Sequence, residues 1–279
     1  MKRSGEGSKA TRRLVLAAAD SAVRFVFPTG CLVCTQQLAW PTPDLCIYDS
    51  CRATLRPPAH LCPLCGSQLP PRDDAWLCVA CARRPPAFDG LAAAWTYEPP
   101  AAQVVRGLKF QGLRFLAAEM AVTMADRCRD LRQLSGYVVT EVPLHWRRRL
   151  RRGYDQAGLL ACALAAELDV PHRPLLRRTR PTPAQTSLGR VERLRNLDHA
   201  FRPRRGRRPP RSVVLVDDVA TTGATLDAAA EALKSAGVKR VFGVVAALTP
   251  KRREGFEAQP ENHGSCGSIS EMSTSHNAV

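Results

Sequence analysis

Aromatic residues make up only 6% of this 279-residue chain, too few for base-stacking platforms spread along a groove. No stretch approaches the ~20 apolar residues of a membrane-spanning helix. The nearest thing to a secretion signal, residues 14–19 after Arg12 and Arg13, runs into Asp20 and Arg24 with no clean small-residue cleavage site. Leu14, Ala18, Ala22, Phe25 and Val26 instead share one face at helical period, so an amphipathic helix docked on a cytoplasmic protein is expected. Two nucleotide signatures are also missing: neither G-x-x-x-x-G-K-[ST] nor G-x-G-x-x-G occurs anywhere. No internal repeat is evident. Acids are few, 25 against 41 cations, giving a net charge of +16 and a pI near 10.0. Lysine is scarce too, with six of those 41, so most of the charge is planar guanidinium suited to phosphate.

What remains is ordinary globular material, 45% apolar and 24% charged, in a length that accommodates two domains. Residues 1–12 and 251–279 are polar and aperiodic and are expected to be disordered tails. Composition changes at Arg83-Arg84-Pro85-Pro86, dividing a cysteine-rich region (13–86, including the amphipathic helix) from residues 87–250. The second region alternates strand and helix: strands over 91–97, 137–142, 213–216 and 240–247, helices over 113–131, 154–168 and 226–236. Continuous apolar strands alternating with helices imply an α/β fold, a mostly parallel sheet flanked by helices. The segment 202–211, RPRRGRRPPR, can only be a surface loop.

Eight of eleven cysteines fall between positions 31 and 81, as the pairs Cys31/Cys34, Cys46/Cys51, Cys62/Cys65 and Cys78/Cys81. A C-x2-C turn aims two thiolates at one point, and two such turns complete a tetrahedral zinc site. Cys62-Pro63-Leu64-Cys65-Gly66 is such a knuckle, with proline presetting the turn and glycine freeing the backbone after the second ligand. A disulfide framework fits poorly with a cytoplasmic chain, and no βαβ context surrounds the pairs to suggest a redox motif. Two structural zinc ions are expected in a double zinc ribbon, with sequence-order and interleaved pairing both open. Two four-thiolate sites would lower the charge to about +12. Cys128 and Cys162 fall on helices and read as small core residues.

The most specific string is Val213-Val214-Leu215-Val216-Asp217-Asp218-Val219-Ala220-Thr221-Thr222-Gly223-Ala224-Thr225, ahead of a helix. A buried strand carries two carboxylates to its C-terminal end, where open α/β sheets bind ligands. Small residues, hydroxyls and N–H groups at a helix N-terminus then form an anion cradle. Acids beside such a cradle suit a sugar phosphate. Without a phosphate-binding lysine loop, the alternative of a triphosphatase metal strand has little support.

This string resembles the phosphoribosyl pyrophosphate (PRPP) loop of type I phosphoribosyltransferases, and the resemblance gives Asp217 and Asp218 the ribose hydroxyls and residues Thr221, Thr222, Gly223, Ala224 and Thr225 the 5′-phosphate. Val142-Pro143-Leu144-His145 with Arg149 and Arg152-Gly153-Tyr154-Asp155-Gln156 is similar to the V-P-L…R-G-[FY]-N-Q segment of ComF-type competence proteins. Thr182, Gln185, Leu188, Arg195-Asn196-Leu197 and Ala200-Phe201 resemble their flexible loop, Lys109-Phe110 their lysine-aromatic pair, and Phe27-Pro28 with Cys31 the entry to their zinc region. Lys109, Arg149, Arg152, Gln185, Arg195 and Asn196 thereby become candidate pyrophosphate and lid residues. Asp155 departs from the family's asparagine and would repel a pyrophosphate unless it points elsewhere.

The resemblance implies a ComF-like, PRPP-binding protein, with Mg²⁺ accompanying the ligand, that handles single-stranded DNA with competence-machinery proteins during natural transformation. As an enzyme it would be a phosphoribosyltransferase, pentosyl transfer displacing pyrophosphate from C1. Two alternatives stay open: a nucleobase-salvage transferase and a non-catalytic PRPP sensor or scaffold. Residues 177–211 hold twelve arginines and two acids, a local balance of +10 that fits a polyanion.

Overall fold

The structure, a computed structural model, describes residues 30–37, 47–70, 77–128, 136–179, 200–204, 206 and 208–249. The two tails, the expected amphipathic helix, Cys46, Gln185, Arg195 and Asn196 lie outside the described residues.

The apolar run at 213–216 is the middle of a longer strand, β5 (Ser212–Ala220), paired on both sides and therefore apolar on both faces. Its partners are β6 (Arg240–Leu248) and β2 (Tyr137–Glu141); β1 (Gly90–Thr96) lies outside β6. The order is β1-β6-β5-β2 and every pairing is parallel, as the sequence pattern predicts. Alternation along β5 feeds two cores. Val214 and Val216 face one that includes Leu116, Met120 and Met124 of helix α4 (Leu116–Arg127) and Leu160 and Leu164 of α6 (Gln156–Glu167). Val213 and Leu215 face the other, filled by Leu226 and Leu233 of α7 (Ala224–Ser235).

Four elements depart from the sequence expectation. Helix α3 (Ala101–Phe110) follows the Pro99-Pro100 pair that masked its start. Residues Trp146–Arg152 form a helix, α5, where the arginine run suggests a loop; its two apolar residues face solvent, so it carries no amphipathic signal. Two three-residue strands, β3 (Leu176–Arg178) and β4 (Phe201–Pro203), make a separate antiparallel ribbon within the basic stretch. Positions 202 and 203 therefore belong to a strand rather than to a loop.

The cysteine region does contain a repeat. Cys31 N–H donates to Gln36 O at 2.8 Å and Cys62 N–H to Ser67 O at 2.8 Å; bridges join Gly30 to Gln37 and Leu61 to Gln68. The short helices α1 (Asp49–Arg52) and α2 (Val79–Arg83) follow, each carrying one more cysteine, Cys51 and Cys81. The repeat escapes a sequence scan because little beyond C-x2-C and a Gln-Leu pair is shared. At the helix caps, Tyr48 stands where the second copy has Cys78, with matching backbone angles. Both knuckles lean on the larger unit: Leu32 packs beside Gly107 of α3, and Leu91 N–H donates to Pro63 O at 3.0 Å.

The residue after each second cysteine is left-handed, Thr35 at φ 63° and Gly66 at φ 68°. A Cβ on Gly66 would lie 2.7 Å from Leu248 Cδ2. The same exchange should therefore have opposite signs: Thr35→Gly stabilises by about 1 kcal/mol, and Gly66→Thr destabilises by more than that, the steric conflict adding to the backbone cost. Urea unfolding of both variants checks the pair; equal shifts would contradict it.

Candidate functional site

Strand β5 ends between β6 and β2, and Asp217 and Asp218 are its last polar residues. Both line a cavity of about 290 Å³ at the C-terminal edge of the sheet. Asp217 Oδ1 accepts the Asp218 N–H at 2.8 Å. Burial and the neighbouring Asp218 charge push the Asp217 carboxyl up to about 8, against the pull of Lys109 and Arg178. Lys109, in the last turn of α3, reaches across to Asp218 Oδ1 at 2.9 Å. One acid is paired and the other sits uncomfortably beside it.

Past the strand the chain turns at Gly223, at φ 75° with the Phe88 ring 3.7 Å from where a Cβ would stand, and enters α7. A non-glycine residue here would bear left-handed strain. Thr221 and Thr225 line the cavity, Thr222 Oγ1 accepts the Ala224 N–H at 3.3 Å, and Ala224 is buried. The N–H groups that open α7 thus stand beside the two acids, as the motif suggests.

The opposite wall is the stretch after β2. Val142, Pro143 and Leu144 line the cavity, with Arg152 and Gln156 from the ends of α5 and α6. Arg152 Nη1 donates to Gln156 Oε1 at 3.0 Å, while Arg152 Nε and Gln156 Nε2 are buried donors without a hydrogen bond. Such donors cost about 1–3 kcal/mol each, and an anionic ligand would satisfy them. Arg149 is exposed and does not line the cavity. His145 is buried against Trp146, in keeping with a structural role.

Asp155 lines the cavity, yet its carboxylate is spent on the backbone. It caps α6, accepting Gly158 N–H at 3.2 Å and Leu144 N–H at 3.4 Å. Burial raises its pKa against those two bonds. The two oxygens fix the wall stretch and the helix together, a geometry that an acid serves at least as well as the amide.

Sequence reasoning missed two residues that line the cavity. Arg178 of β3 lines the cavity with its guanidinium 5.2 Å from the Phe201 ring, and Tyr97 lines it beyond β1. Glu141, at the end of β2, is buried with His172 Nε2 2.8 Å away; burial resists its ionisation, but the His172 contact prevails and lowers its pKa. Arg178 is one of many arginines, so no pattern singles it out.

The cysteines gather by sequence order. The thiols of Cys62, Cys65, Cys78 and Cys81 lie within 4.8 Å of one another, as do those of Cys31, Cys34 and Cys51. Burial opposes ionisation of Cys31, but backbone N–H groups of Cys34, Tyr48 and Val33 bring it down to about 7. Cys65 falls to about 7 against burial through Ser67, while burial and neighbouring thiols push Cys51 up to about 11 and Cys81 upward. Cys31 and Cys65 are thus poised to ionise, whereas Cys51 beside the first and Cys78 and Cys81 beside the second resist. A divalent, thiophilic cation reverses that resistance, so the donor sets fit zinc.

A family model described as "Phosphoribosyl transferase domain" matches residues 155–265. Among curated proteins, the chain is 35% identical over 224 residues to "DNA utilization protein YhgH" of Salmonella typhimurium, covering 77% of this chain and 94% of that protein. It is 30% identical to "Competence protein F" of Haemophilus influenzae over 77% of this chain and 95% of that one. With "Competence protein ComFC" of Bacillus subtilis the identity is 29%, over 74% and 89%.

The raised Asp217 carboxyl has a stability consequence. The folded chain holds this proton up to about pH 8, whereas the unfolded chain releases it near 4. Stability due to this group is therefore lost as pH rises through that window, at up to ~1.4 kcal/mol per unit. Asp217→Asn, which keeps the acceptor for Asp218 N–H, should stabilise the protein more at pH 8 than at pH 5. Urea unfolding at both values checks this; an effect independent of pH would contradict it.

Proposed function

The chain belongs to the family of competence protein F and DNA utilization protein YhgH, and from that premise we propose that it binds PRPP at the end of β5 and acts on single-stranded DNA in natural competence. The observation that carries the first half is the meeting of Asp217 and Asp218 in one cavity with Thr221 and Thr225, which flank the Gly223 turn. The acids accept from the ribose hydroxyls. Thr221 to Thr225 and the first N–H groups of α7 hold the 5′-phosphate. Arg152 and Lys109 face the pyrophosphate, Lys109 exchanging its bond to Asp218 for the ligand. Gln185, Arg195 and Asn196 lie in the stretch between β3 and β4 and would complete the enclosure; Arg149 stands further out on α5.

The reaction this site suits is pentosyl transfer, in which a nucleophile displaces pyrophosphate from C1. The chain's part is electrostatic: cations stabilise the departing charge, and the acids fix the sugar that becomes electron-poor. Bound with the ligand, Mg²⁺ supplies further neutralisation of the pyrophosphate. The DNA half of the reading is supported by the names of the relatives and by the +10 balance of residues 177–211. We assign residues 13–86 to a double zinc ribbon, with Cys31, Cys34, Cys46 and Cys51 on one ion and Cys62, Cys65, Cys78 and Cys81 on the other, and residues 87–250 to the phosphoribosyltransferase-type domain of a cytoplasmic protein. No described helix is long and apolar enough to cross a membrane.

Titration calorimetry with PRPP and Mg²⁺ tests the site. Losing the charge-assisted bond of Asp218 alone costs about 1.5–3 kcal/mol, so Asp217→Asn with Asp218→Asn should weaken affinity at least tenfold. Unchanged affinity would overturn the assignment. Pyrophosphate release on adding a free nucleobase would move the activity to salvage.

Elemental analysis of protein purified without added metal should give about two zinc ions per chain. Well under one, with intact disulfides, would remove the ribbon.

A further inference from the structure

Arg152 has an unusual set of neighbours for a cation. Its side chain lines the cavity, yet among the described residues no carboxylate forms an ion pair with it. Its Nη1 donates to a neutral acceptor, Gln156 Oε1, and its Nε is buried without a hydrogen bond. The face of the guanidinium is held instead by Phe110, whose ring centroid lies 4.9 Å from the guanidinium carbon. Phe110 is itself 65% exposed, so its ring is not there to fill the core.

Phe110 ends α3 directly after Lys109. Successive residues of a helix point about 100° apart. Lys109 accordingly reaches Asp218 while Phe110 lies against Arg152. A second crossing joins the same two segments: the Tyr154 hydroxyl donates to Leu108 O, and the Arg114 guanidinium lies over the Tyr154 ring at 4.7 Å. The last turn of α3 and the junction of α5 with α6 are therefore fastened on both sides of Lys109, at Leu108 and at Phe110. This sets the two cavity cations, Lys109 and Arg152, relative to each other.

A carboxylate would hold Arg152 too, but it would neutralise the charge and occupy the N–H groups. An aromatic face fixes the plane of the guanidinium and leaves its in-plane donors open, in the planar fork that phosphate oxygens accept. We infer that Phe110 is a positioning residue for the pyrophosphate moiety, orienting the Arg152 guanidinium so that the site favours a ribose carrying 1-pyrophosphate over one without it. The inference rests on the reading of the cavity as the PRPP site. Phe110 does not line the cavity and acts through Arg152.

Titration calorimetry on the full-length protein with Mg²⁺ tests this with three ligands: PRPP, ribose 5-phosphate and inorganic pyrophosphate. Phe110→Ala should weaken PRPP and pyrophosphate by about fivefold or more and leave ribose 5-phosphate within about twofold. Phe110→Trp, which keeps an aromatic face, should restore both. In an Arg152→Ala background, Phe110→Ala should cost nothing further, because the partner it orients is gone. PRPP affinity indifferent to Phe110→Ala would overturn the assignment. So would an equal loss for ribose 5-phosphate, or a loss that persists without Arg152. If the unaltered protein binds pyrophosphate in a Phe110-dependent way but not PRPP, the PRPP reading falls and the positioning role stands. Binding of neither would overturn both.

Discussion

Two carboxylates side by side at the end of a strand are an unfavourable arrangement, and much of the site can be understood as what tolerates them. Strand β5 cannot swing Asp217 and Asp218 apart, because β6 pairs with it along this stretch and β2 holds it as far as Val216. The relief comes from cations on separate elements: Lys109 from α3 in direct contact with Asp218, and Arg178 from the ribbon acting on Asp217. Each cation is in turn held in position by packing. Lys109 follows Leu108, which is wholly buried, and Arg178 lies over Phe201, whose backbone pairs with its own. The sheet, the first helix of the larger unit and the basic ribbon therefore converge on one electrostatic problem.

What was legible in the sequence follows from how local each signal is. The strand 213–216, its acids and the Thr-Thr-Gly turn are contiguous, so chemistry and position can be read together. The parallel sheet is legible for the same reason, since strands buried on both faces appear as unbroken apolar runs. Helix α5 was hidden because its exposed Trp146 and Leu150 give no inward-facing period, and β3 and β4 because three residues set no period at all. Arg178 enters the site through a tertiary crossing that no spacing records. Asp155 stood out as an anomaly, but its explanation needed Leu144, eleven positions away in sequence and adjacent in space.

The cysteine region shows the same division. The C-x2-C spacing identifies ligands, whereas the kinship of its two halves is visible only in backbone hydrogen bonds. That kinship is imperfect where it bears on the metal sites. Tyr48 occupies the place of Cys78 and turns its hydroxyl to Gln37 O, so a fourth ligand for the first cluster must come from another point on the chain. Contact with the larger unit also differs, Leu32 against α3 on one side and Gly66 against Leu248 on the other.

The pairing of β1 with β6 carries a consequence for biosynthesis. Among the described strands, the first of the sheet has the last as its only neighbour, Gly90 opposite Phe242 and Thr96 opposite Leu248. On the ribosome, β1 emerges long before that partner exists, and at about 5–20 residues per second the wait is roughly ten to thirty seconds. The knuckles close over short spans and can form at once. For that interval the edge of β1 and the Leu91 side of the second knuckle are exposed together, a nascent surface for which a chaperone and aggregation compete.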